Sequence, residues 1–138
     1  MNIAERSEDL KKLVSELDER LEGFNLLIEE IVSYSLDYNM ESIRYVELVL
    51  QRLKNQIEDD KDIKKDAAFY IGETIKRNHS HSYWEVFDQP NSKFHGMPCV
   101  KIEKDPVKAF FPFNAIHEFL EDPQIGFFFK QIMVLPKS

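Results

Sequence analysis

The sequence predicts an α+β fold in which about three helical segments precede a small antiparallel sheet and short helices close the chain. Three observations carry this. Apolar residues recur at helical spacing through the first half of the chain. After His81 the vocabulary changes to short runs of aromatic and β-branched residues bounded by Pro, Asn and Asp. The two patterns are segregated rather than alternating, which argues against a doubly wound parallel sheet.

Leu10, Val14, Leu17, Leu21, Phe24, Ile28 and Ile31 step by fours and threes, which predicts one helix over about 7–35, capped by Ser7 and bent at Gly23. The stripe also permits pairing with a second copy as a coiled coil. Asn39 is the expected cap of a second helix, about 40–57, with Ile43, Val46, Leu50, Leu53 and Ile57 on one face. After the polar turn 58–62, Asp62 is expected to cap a third helix to about Asn78. On that helix Ile63, Ala67, Tyr70, Ile71, Thr74 and Ile75 share a face while Phe69 and Gly72 point elsewhere. A helix apolar on two sides is expected to lie between layers, with Gly72 admitting a neighbouring backbone.

Tyr83–Phe87, Met97–Glu103 and Val107–Phe113 read as strands, with Pro98 at a strand end and Pro112 terminating the third. The segments 88–93 and 104–106 read as turns and Asn114–Glu121 as a short helix. Asp122 and Pro123 look like a cap and first-turn proline. The segment 124–134 fits helix or strand by period, and its three phenylalanines cannot all be buried on one helix face.

The chain's 138 residues fit one domain, and a core of that size needs no disulfide or metal. The single cysteine, Cys99, has no internal partner. No stretch approaches the ~20 apolar residues of a membrane span, and the acidic N-terminal stretch lacks the features of a signal peptide, so a cytoplasmic location and no membrane partner are expected. Residues 1–62 carry sixteen Asp/Glu against eight Lys/Arg, net −8, while residues 63–138 carry nine against ten, net +1. Such acidity disfavours nucleic acid. It suits a basic protein partner, steered by exposed pairs such as Asp18/Glu19 and Glu29/Glu30, and it serves solubility in any case.

The helix bearing Tyr70, Ile71, Gly72 and Glu73 is followed by a strand bearing Trp84, by Gly96 and Pro98 ahead of a second strand, and by Pro112 and Phe113 at the end of a third. With the stretch Leu36–Ile43 opening a helix that holds Glu47, this resembles a loose group of small uncharacterised bacterial domains over about residues 34–130. Some of these look like accessory or immunity-type proteins that bind and silence a toxin. The resemblance implies fold-defining roles for Gly72, Glu73, Trp84 and Pro112, and no reaction.

The sharpest chemical candidates are His79 and His81. On a strand, residues two apart share a face and both could reach one ion, with Glu73, Glu85, His95, Cys99 and His117 as further ligands. No recognised metal spacing supports this, and a histidine at a helix end also interacts well with the last carbonyls. Glu73, four residues before Arg77, reads as half of an ion pair. Cys99 beside a histidine could be a nucleophile, but a lone cysteine in an apolar strand is more often a small hydrophobe. No phosphate-binding loop or serine elbow is present, and no cofactor is implied. The expected function is a non-enzymatic protein-binding domain, of immunity type, for a basic partner. The alternatives are a small enzyme using His79 and His81, with or without metal, and a homodimer paired through the N-terminal helices.

Overall fold

The computed structural model describes residues 2–103 and 108–133. Its elements, in order, are helices α1 (Ile3–Ser15), α2 (Leu17–Arg20), α3 (Glu22–Val32), α4 (Ser42–Arg52), α5 (Lys54–Ile57) and α6 (Lys61–Arg77), strands β1 (Ser82–Val86), β2 (Pro98–Ile102) and β3 (Lys108–Phe110), and helices α7 (Pro112–Glu121) and α8 (Phe127–Met133). The sheet is antiparallel in the order β1-β2-β3, so the fold is α+β as the segregated patterning predicts.

The N-terminal stripe is one run of helix broken twice, at Glu16 and Leu21, not one helix bent at Gly23. Both break residues leave helical geometry, with ψ near 13° and 3°. The breaks re-aim the axis so that Leu10, Leu17, Leu21, Phe24 and Ile28 all stay buried in the chain's own core. Gly23 lies within α3 with open space around it. Asn2, not Ser7, caps α1, accepting the Glu5 N–H at 2.8 Å. Asn39 does accept the Ser42 N–H at 2.8 Å, but α4 begins at Ser42 with Glu41 as its cap, and the helix expected over 40–57 breaks at Leu53. Asp60, not Asp62, caps α6, taking the N–H groups of Asp62 and Ile63 at 3.1 Å each.

Helix α6 is the centre of the molecule. Every residue from Ala67 to Ile75 is buried, because helices cover one side of it and the sheet and α7 cover the other. What Gly72 admits is an aromatic ring, not a backbone. A methyl group there would overlap the Trp84 indole, whose Cζ2 would lie 2.7 Å away. Trp84 is half-buried, tilted against Phe69 at 5.3 Å between centroids, and Phe69 in turn meets Phe113 edge-on at 5.3 Å.

The register sets the two faces of the sheet. Trp84 pairs with Val100 and Val100 with Phe110, a row that faces α6. The other face carries Phe87, Cys99, Ala109 and Phe111, and Phe94 and Met97 of the β1–β2 loop close over it. Pro98 begins its strand as expected. Pro112 does more than end a strand: β3 stops at Phe110 and Pro112 is in the first turn of α7, where its fixed φ suits a helix start. The last segment is helical from Phe127, and Asp122 and Pro123 lie ahead of it in the connection rather than at its cap. Phe128 is buried and Phe127 and Phe129 are half-buried, since the ring sites are shared between the core and the surface of α4. The expected turn at 104–106, the start of the third strand at Val107 and Val134 lie outside the described residues.

Candidate functional site

Helices α2 and α3 present the acidic surface. Glu19, Glu22, Glu29 and Glu30 are exposed and have no ion-pair partner among the described residues. Among the three glutamates of α3 stands Leu26, 61% exposed, the most exposed large hydrophobic side chain of the described chain. Glu22, Glu29 and Glu30 lie four residues before it and three and four after it, so all flank it on one helix face. The opposite face of α3 buries Phe24 and Ile28, which fixes the orientation of the acidic one.

Asp18 belongs to a different structure. Its Oδ1 accepts from Arg77 Nη2 at 3.1 Å and from the Tyr38 hydroxyl at 3.0 Å. The Arg77 guanidinium lies 3.7 Å from the centroid of the Tyr38 ring, and its Nε donates to Glu73 Oε2 at 2.8 Å. Glu73 Oε1 accepts the Trp84 indole N–H at 2.9 Å. The expected Glu73–Arg77 pair is therefore present, but with Glu73 only 5% exposed it is the middle of a chain of contacts rather than a surface pair. It ties α2, the Tyr38 loop, α6 and β1 together, and so fixes the base on which the acidic face stands. Burial and the Asp18 hydrogen bond push the Tyr38 hydroxyl well above the usual phenol range, so it stays a donor.

The histidines do not share a strand face. Both precede β1, and His81 takes a left-handed backbone with φ 58°. His79 Nδ1 lies 2.8 Å from the Ile75 carbonyl oxygen at the end of α6. The further ligands are dispersed: Glu85 lies 3.5 Å from Lys101, His95 lies 3.9 Å from Asp88, and His117 lies 3.1 Å from Glu121. Among the described residues no three His, Cys, Asp or Glu side chains are grouped to hold a metal ion. Tyr83 is on the exposed side of β1 and donates to Glu103 at 2.9 Å.

Cys99 is fully buried, and burial pushes its thiol up to about 12. A thiol held protonated and covered is a poor nucleophile. The native protein is expected to resist iodoacetamide at neutral pH and to react at one site once unfolded in urea. Rapid labelling of the folded chain, read by mass spectrometry, would contradict this.

No family model matches the chain, and no curated protein or solved structure matches it. No described helix is long and apolar enough to cross a membrane.

Of the acidic residues named from sequence, Glu19, Glu29 and Glu30 fall on the exposed face and Asp18 is engaged with Arg77 and Tyr38. Glu22 and Leu26 were not singled out by sequence. Their signal was available: Leu26 falls outside the apolar arc of Phe24, Leu27, Ile28 and Ile31.

Proposed function

We propose that the chain is a non-enzymatic binding module that meets a basic protein partner through α2 and α3. The observation that supports this best is Leu26, an exposed apolar side chain flanked by Glu22, Glu29 and Glu30, none with a described cation. An apolar centre within a charged rim is the anatomy of a protein interface, and a rim of one sign selects a partner of the other. The resemblance to immunity-type domains adds a form for the partner, a basic toxin that the module would silence.

The test is a pull-down from the native host at low salt, followed by binding kinetics of the recovered basic partner across a salt series. Glu19→Lys with Glu29→Lys and Glu30→Lys is expected to slow association about tenfold or more, and rising salt to erode the difference. Leu26→Ala is expected to act on dissociation instead. Asp18 is left out, since reversing it would set a cation against Arg77. Recovery of no basic partner, or an association rate indifferent to salt and to the reversals, would return the acidic face to a solubilising role.

A further inference from the structure

The acidic chain also carries a cationic groove. Helix α5, the first turns of α6 and helix α7 bound a hollow of about 570 Å³. Its floor is apolar: Phe113, Ile116 and Leu120 follow one another at helical spacing along α7, with Phe113 and Leu120 half-buried. Its rim is lined by Lys54, Lys61, Lys64 and Lys65. The Lys64 ammonium donates to the Glu58 carbonyl oxygen at 2.6 Å. Lys54, Lys61 and Lys65 have no described carboxylate within 4.0 Å, although acids outnumber bases in the chain by twenty-five to eighteen. The rim also holds two carboxylates, Glu121, which lies against His117 at 3.1 Å, and Glu58, which pairs with no described cation, so four lysines stand against two glutamates. Beyond Phe113 and Lys65 a second hollow of about 220 Å³ continues the apolar floor to Leu10 and Leu13 of α1.

We infer that this groove docks an acidic amphipathic helix of a protein partner, on a surface separate from the α2–α3 face. The charge selects the sign of the ligand: an anionic segment satisfies three ammonium groups that the described chain leaves unpaired. The shape selects its form. A groove between the lysines of one helix and an apolar ridge of another takes the apolar stripe of a third helix, with its acidic flank against the lysine rim.

The probe is a synthetic helix with leucines at alternate third and fourth positions and glutamates on both flanks, titrated against the full chain by calorimetry. One-to-one binding is expected, weakened about tenfold or more by Lys61→Glu with Lys65→Glu and by added salt, and unaffected by Glu29→Lys with Glu30→Lys. Circular dichroism of each variant establishes that the reversals leave the fold intact. Leu120→Ala, and a control peptide with serine for leucine, are expected to weaken binding without changing its salt dependence. Oleate serves as the competing small amphiphile. Absence of peptide binding overturns the inference, as does binding that the lysine reversals or the serine control leave unchanged. Lysine-dependent binding of oleate without peptide binding also overturns it, and makes the groove a small-molecule site.

Discussion

Trp84→Ala is expected to destabilise the folded chain by about 3 kcal/mol. The indole packs on Gly72 and Phe69 and donates to the buried Glu73, so truncation removes packing and a charge-assisted hydrogen bond together. Gly72 supplies the sharper test. In an exposed helix, Gly→Ala stabilises by about 1 kcal/mol. Here the added methyl would overlap the indole, a rigid neighbour, and Gly72→Ala is expected to cost about 1–3 kcal/mol instead. In the Trp84→Ala background the indole is gone and the same substitution is expected to cost less, or to stabilise. Urea unfolding of the four proteins of this cycle measures the coupling. A Gly72→Ala effect of the same size in both backgrounds would show that the indole does not sit on Gly72.

The second large effect is expected at Glu47. Its side chain is fully buried, with Oε1 accepting the Gly126 N–H and Oε2 the Phe128 N–H, both at 3.1 Å. These N–H groups lie at the start of α8, so Glu47 fastens that helix, and with it the buried Phe128, to α4. Glu47→Ala leaves the buried Phe128 N–H and the part-buried Gly126 N–H without a partner and opens a void, a loss of about 2–4 kcal/mol. Burial holds the Glu47 carboxyl above its ordinary range, outweighing the backbone N–H groups and Arg44, which pull it down. The folded state therefore binds this proton more tightly than the unfolded state. The corresponding stability is fully present below the ordinary value of 4.5 and is lost as pH rises through the raised folded value. Wild type is accordingly expected to lose stability relative to Glu47→Gln as pH rises through that window. Urea midpoints of the two proteins across pH test it. A difference that stays constant would mean that Glu47 titrates alike in both states.

The order of elements was legible in the sequence because it rests on local periodicity. The i, i+3, i+4 apolar spacing of Leu10 to Ile31 and of Ile43 to Ile57, and the aromatic runs after His81, each report a neighbourhood of a few residues. The apolar character of α6 on two sides around its middle likewise announced a helix between layers, and the i, i+4 spacing of Glu73 and Arg77 announced their pair. Only the tertiary structure decided what depends on residues far apart in the chain. The breaks at Glu16 and Leu21 leave Leu10, Leu17, Leu21, Phe24 and Ile28 in one core with residues of later helices. The neighbour of Gly72 is an indole from the next element, and the partner of Glu47 is a helix about eighty residues away. His79 and His81 part company because the chain turns left-handed at His81 to enter β1, which strand periodicity did not anticipate. The lysines of α5 and α6 meet the apolar ridge of α7 only because α6 packs on α7, a contact between residues some fifty positions apart. Periodicity fixes which face of a helix is apolar; packing decides which side chain covers it and which charges are left facing water.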